Sequence, residues 1–184
     1  MKKIFKYIFA GMAAMSVVAC SEDALETSPS SSVSGNELLG TATNALVSLN
    51  GVYRAMYTAG VSNSSNTHQC FGITAYNLVA DVMGEDCIMN GQGSGWFWYD
   101  CVYNVKSRYT STRWRSYDMW NGYYTWISNV NYILAEEETM SGSETEKNYV
   151  LGQAYAVRAY SYFMLAQMFS RTYKGHESEH CNRR

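Results

Sequence analysis

From residue 36 to residue 175, apolar side chains return every third or fourth position along four separate stretches, and no proline interrupts them, because the only proline of this 184-residue chain is Pro29. A spacing near 3.6 gathers such residues on one side of an α-helix, whereas a half-buried strand needs strict alternation. The first stretch, Asn36 to about Ala59, carries Leu38, Leu39, Ala42, Ala45, Leu46, Leu49, Val52, Tyr53 and Met56 in register. Ser34 with Glu37 three residues on is the pattern of a capping box at its start. The second runs from about Gln69 to Met83, with Phe71, Ala75, Leu78, Val79 and Val82 on one side, and Gly84 ends it.

The third stretch spans Thr112 to about Glu138, with an expected inner stripe of Tyr117, Trp120, Tyr124, Ile127, Val130, Asn131 and Leu134. Ser141-Gly142 breaks it. Ser143 with Glu146 then forms a second capping box, opening a helix whose expected stripe is Leu151, Ala154, Tyr155, Arg158, Ala159, Tyr162, Leu165, Ala166 and Phe169. So short a break makes the last two helices an antiparallel hairpin of tetratricopeptide size, and Ala154, Ala156 and Ala159 would let a partner helix approach closely. Between the second and third helices, Gly84 to about Ser111 holds Gly91, Gly93 and Gly95 without a helical period. The expected fold is therefore all-α, tetratricopeptide-like helical hairpins with one long irregular loop, and loops of that length are usually functional.

Before the helices lies a different kind of sequence. Lys2, Lys3 and Lys6 precede an apolar run from Ile8 to Val18, the layout of a secretory signal and too short to span a bilayer. Val17-Val18-Ala19-Cys20 resembles the bacterial lipobox, so residues 1–19 read as a cleaved leader and Cys20 as the lipid attachment site. Residues 20–35, with Ser21-Glu22-Asp23 and many serines, read as a flexible tether to the membrane.

Removing the three leader lysines leaves 11 basic against 16 acidic residues, a formal charge of −5, and nothing basic enough to suggest nucleic acid. Cys70, Cys87, Cys101 and Cys181 lack the close pairing of zinc or thiol-redox motifs. Export to an oxidising compartment leaves a Cys87–Cys101 disulfide open, with free thiols the favoured reading. His68, His176 and His180 are the only histidines, with no paired nucleophile and base, so catalysis is not expected. No cofactor or metal is expected either; Asp81, Glu85 and Asp86 read first as solvated carboxylates, or as partners of Arg108, Arg113 or Arg115, and only second as a calcium site.

The run from Gly152 to Phe169, with Arg158-Ala159-x-x-Tyr162-Phe163-x-Leu165, resembles a helix of the SusD/RagB family, and Trp120-Asn-Gly-Tyr-Tyr-Thr-Trp-Ile-Ser-Asn-Val-Asn-Tyr-Ile-Leu134 resembles its neighbour. The likeness extends over residues 12–175. It implies a surface lipoprotein of Bacteroidetes that binds nutrients, most often glycans, over a SusC-like TonB-dependent transporter. The acidic residues after Cys20 resemble the surface-export signal of such lipoproteins. Family members are several times longer, so residues 36–175 read as an incomplete N-terminal helical domain and 176–184 as an aberrant tail of a truncated product.

The chain holds 16 Tyr, 5 Trp and 6 Phe, concentrated after residue 95. Gly95-Trp96-Phe97-Trp98-Tyr99-Asp100 is the candidate ligand segment, because ring faces stack on the C–H faces of pyranoses while Asp100 and Asn104 can bond hydroxyls. The resemblance adds that this loop helps form the family's glycan platform. Trp96, Trp98 and Tyr99 carry the expectation; the alternative is that these rings plug a hole under the loop. Arg158 reads as a hydrogen-bonding core residue. The functional rivals are a scaffold for protein contact only, which would bury Trp96 to Tyr99, and a non-functional fragment.

Overall fold

The structure is a computed structural model that describes residues 38–63, 65–85, 87–93, 95–102, 110, 113–171 and 174–176. The leader, Cys20, the tether, the Ser34–Glu37 pair, Asp86, Asn104, Arg108 and Cys181 lie outside the described residues. All described residues belong to one compact unit, Asn36–Arg184.

Five helices make up the described residues, and no strand is among them: α1 Ala42–Ala55, α2 Ile73–Met83, α3 Trp98–Cys101, α4 Trp114–Ala135 and α5 Glu144–Phe169. The all-α expectation holds, with one addition, since the loop after Gly84 contains the single turn α3. α4 and α5 pack against each other along their length, and α1 lies across both. No helix among the described residues is long and apolar enough to cross a membrane.

The helix ends differ from expectation where backbone groups are claimed by something other than the helix. α1 begins regularly at Ala42 because Gly40 turns its carbonyl to Ser141, accepting from the Ser141 N–H and hydroxyl at 2.9 Å each, and Thr41 then caps Asn44 N. Ala42 N returns the bond to Ser141 O, so the α4–α5 turn is zipped to the start of α1. α2 starts at Ile73, not Gln69. The carbonyls of Gln69 and Cys70 are held by Arg115 and Gly60 N, and Gly72 sits at φ +70 with Ile73 N bonded to Met56 O. A Cβ on Gly72 would stand 2.0 Å from that same Met56 oxygen, so only glycine lets α2 dock on the end of α1. The Ser143–Glu146 capping box forms as expected, with Glu146 N donating to Ser143 Oγ and Ser143 N to Glu146 Oε2.

The core is built from Leu39, Ala42, Ala45, Leu49, Val52 and Met56 of the α1 region, Ala75, Tyr76, Val79 and Val82 of α2, and the inner faces of α4 and α5. The expected stripe of α1 is the inward one: Leu46 and Tyr53 are half-buried against the core, and only Leu38 is exposed. Those of α4 and α5 are rotated. α4 buries Asp118, Met119, Gly122, Tyr123, Trp126 and Ile133, along with the expected Ile127, Val130 and Leu134, and leaves Tyr117, Trp120, Tyr124 and Asn131 outside. α5 buries Val150, Leu151, Ala154, Val157, Ser161 and Leu165, leaving Tyr155, Tyr162 and Phe169 exposed. Only Ala154 of the three candidate alanines is buried. Both helices are apolar nearly all round, so periodicity alone does not say which face turns inward.

The buried side is centred on rings: Trp126 packs on Tyr123 at 4.9 Å and Tyr76 at 6.1 Å. Gly122 lets the Tyr76 hydroxyl approach, since a Cβ there would stand 2.3 Å from it. On the open side, Trp120 stacks on Tyr124 at 4.6 Å and meets Phe169 edge-on at 5.2 Å, and Tyr124 meets Tyr162 at 6.4 Å. Arg158, expected in the core, is half-buried: it donates to Asn131 Oδ1 and lies over the Tyr155 ring, tying α5 to α4.

Candidate functional site

The aromatic loop owes its shape to one inward residue. Phe97 adopts the left-handed conformation, φ 57, and is the only such non-glycine residue among those described. For a bulky side chain this costs on the order of 1–2 kcal/mol. The cost is offset by burial of its ring, which meets Phe71 edge-on at 6.3 Å and lies under the Arg115 guanidinium. With Phe97 pointing in, its neighbours point elsewhere: Trp96 is 50% exposed, Trp98 half-buried and Tyr99 37% exposed. The rings are thus neither all displayed nor all plugged.

Arg115, in the first turn of α4, fastens this loop. It is 1% exposed, and its Nη2 reaches Asp100 Oδ2 at 2.8 Å and Gln69 Oε1 at 3.3 Å, while Nη1 reaches Gln69 O at 3.3 Å. Its guanidinium carbon lies over the Trp114 ring, 4.2 Å from the centroid, and over the Phe97 ring, 5.1 Å from the centroid. Gln69 Oε1 also accepts from Phe97 N. One guanidinium therefore joins α3, α4 and the segment before α2. Asp100, expected to bond sugar hydroxyls, is 4% exposed and committed to Arg115.

A second buried cluster fixes the segment that carries Asn66, His68 and Gln69. Ser62 donates to Asp118 Oδ1, Asn121 Nδ2 donates to Ser62 O at 2.8 Å, and the Tyr76 hydroxyl donates to the Asp118 carbonyl at 3.0 Å. Burial pushes the Asp118 carboxyl above the usual carboxylate range, against the lowering effect of its Ser62 partner. The buried thiol of Cys70 beside it is pushed up to about 12, first by burial and then by the Asp118 charge. Such a thiol stays protonated and is a poor nucleophile at neutral pH.

The Arg115 cluster borders a cavity of about 180 Å³ lined by Asn66, Gln69, Gly95, Phe97, Tyr99, Asp100, Trp114 and Arg115. On the same two segments, His68 packs on Trp96 with ring centroids 4.7 Å apart and planes 32° apart. Of the sequence candidates, Tyr99 and Asp100 line this cavity, while Trp96 and Trp98 stand on either side of its lining residue Phe97 in the chain. His68, Asn66, Gln69, Trp114 and Arg115 were not singled out as ligand residues. Only the Trp114-Arg115 pair at a helix start offered a local signal, and the others arrive from across the fold. Cys70, Cys87 and Cys101 are free thiols. Asp81 and Glu85 are exposed, and among the described residues no three His, Cys, Asp or Glu side chains converge as a metal set.

No curated protein and no solved structure matches the chain. A family described as SusD-like, "Starch-binding associating with outer membrane", matches residues 29–182. That span takes in every described helix, the aromatic loop and its Arg115 anchor. With more than half of its length so matched, the chain belongs to the SusD-like family.

Proposed function

We propose that this chain is a non-catalytic nutrient-binding lipoprotein of the outer membrane. Cys20 carries its lipid anchor, and the protein faces the cell surface. It binds oligosaccharides on Trp96, with Trp98 and Tyr99 in the same loop and Asn104 further along the sequence as a hydroxyl partner, and hands them to a SusC-like TonB-dependent transporter. Asp100 acts chiefly by holding the loop through Arg115.

The observation that carries this reading is the exposure of Trp96, stacked on His68, on a loop whose backbone is pinned from beneath. Rigid, outward aromatic faces are what a pyranose needs, because ordering them beforehand removes an entropic cost from binding. A scaffold that used this loop only for packing would have buried Trp96 along with Phe97.

Calorimetry with starch-type oligosaccharides on the unmodified chain and on Trp96→Ala with Trp98→Ala tests the reading. Affinity is expected to fall at least about tenfold, the loss of roughly 1.4 kcal/mol; unchanged affinity sinks the assignment. For the anchor, Cys20→Ala is expected to abolish palmitate labelling in the native host, and persistent labelling refutes it.

A further inference from the structure

Of the three alanines on α5 that suit a close helix approach, only Ala154 is buried within this chain; Ala156 and Ala159 face solvent. They belong to a longer line. Tyr149, Gly152, Ala156, Ala159, Phe163 and Ala166 follow one another at steps alternating between three and four, and all are exposed, Tyr149 at 61% and Phe163 at 63%. That alternation is the spacing of a seam between two helices. With about 3.6 residues per turn, the line runs opposite the buried side marked by Ala154 and Ser161, so it is the outermost face of the helix. It carries no charged side chain. A Cβ built on Gly152 meets nothing within 4 Å, so the middle of the seam is open.

The order of sizes along the seam says what fits against it. Positions equidistant from its midpoint, between Ala156 and Ala159, are complementary: Tyr149 mirrors Ala166, Gly152 mirrors Phe163, and Ala156 mirrors Ala159. A second α5 laid antiparallel therefore sets each ring over a small residue and closes the middle with alanines. A parallel copy would set ring on ring and leave a gap at Gly152. Charge follows the same rule. The first turn of α5 carries Glu144 and Glu146, with Lys147 paired to Glu144 at 2.7 Å, whereas residues 160–176 carry Arg171 and Lys174 and no acidic residue. Antiparallel pairing brings the acidic end of one helix to the basic end of the other, with Glu144 mirroring Arg171; parallel pairing would bring like to like.

We propose that the outward face of α5 is the contact surface for a second copy of this chain, packed antiparallel about a two-fold axis that passes between Ala156 and Ala159. The 26 residues of α5 make a seam about 39 Å long, which is a small interface, so the dimer is expected to exchange with monomer at micromolar concentration. This goes beyond the glycan reading and does not depend on it.

Sedimentation of the full chain, unmodified and as variants, over about 1–100 μM tests the proposal. The unmodified chain is expected to pass from monomer to dimer in that range. Gly152→Glu is expected to weaken association at least about tenfold by setting a carboxylate against the partner's Phe163. The same change should leave the unfolding midpoint of the dilute monomer unchanged or higher, since glutamate favours an exposed helix over glycine. Phe163→Ala is expected to weaken association about tenfold, and Trp120→Ala, off the seam, to leave it within about twofold. A chain that stays monomeric throughout, a Gly152→Glu variant that sediments like the unmodified chain, or a loss at Trp120→Ala as large as at Phe163→Ala overturns the proposal. The direction of pairing is read from charge: Glu144→Arg and Arg171→Glu are each expected to weaken association about fivefold, and the two together to restore it to within about twofold. No loss in the single variants, or no recovery in the double, overturns the antiparallel arrangement.

Discussion

Two aromatic surfaces stand on this small helical unit, and they are built differently. The loop surface, Trp96 with His68 and Tyr99, neighbours a set of converging polar groups in which Arg115, Asp100 and the Asn66–Gln69 segment come from three places in the chain. The outer face of α4 and α5 sets Trp120, Tyr124, Tyr162 and Phe169 ring against ring. An amphipathic ligand needs both a flat apolar face and directed hydrogen bonds. Only the loop surface offers the pair; the outer face has the chemistry of a packing surface.

The largest effect that separates the two surfaces is on stability. Arg115→Met should strand the buried Asp100 carboxylate and cost roughly 3–5 kcal/mol in urea unfolding. Trp120→Ala, in the half-exposed ladder, should cost about 1 kcal/mol. Equal costs would mean that the guanidinium does not organise the loop side.

Binding sharpens the contrast at a smaller scale. Trp120→Ala should leave oligosaccharide affinity within about twofold, against the tenfold or greater loss expected at Trp96. A matching loss at Trp120 would make the outer face part of the ligand site.

The Asp118 cluster offers a pH test of how the loop segment is held. Its folded pKa is raised by burial, so the folded state binds the proton more tightly than the unfolded chain. Stability from this group is therefore full below the ordinary carboxylate range and declines as pH rises from there through the folded pKa. Asp118→Asn should remove that decline, so its melting temperature relative to the unmodified chain should be higher at pH 7 than at pH 4, by about 3 °C. An equal offset at both pH values would show that the carboxyl is not strained by burial.

The smallest effect lies at the start of α5. Ser143→Ala removes an exposed cap, so it should cost about 1 kcal/mol or less in thermal unfolding and leave binding unchanged. Altered binding would couple α5's first turn to the loop side, which nothing in their separation supports.

The sequence was legible where local physics decides. Ser143 and Glu146 find each other within one turn, and Gly84 stops α2 where the periodic run ends. The site was legible in part. Trp96 and Tyr99 could be singled out as neighbours in one short segment, but nothing local says that Phe97 between them turns inward. Nor does spacing show that Asp100 faces an arginine 15 residues on rather than solvent.

What the sequence by itself determined is the helical framework, since the 3.6 period, the caps and the absence of proline act over a few residues at a time. Only the tertiary structure decided which face of α4 and α5 is buried, because apolar residues surround both helices and the choice is made by what packs against them. The same holds for the floor of the site: Asn66, Gln69, Asp100 and Arg115 meet because Gly72 and the Ser62–Asp118 cluster fix the path of the chain between α1 and α2. The guanidinium that joins them is buried by that meeting, and no single segment encodes it.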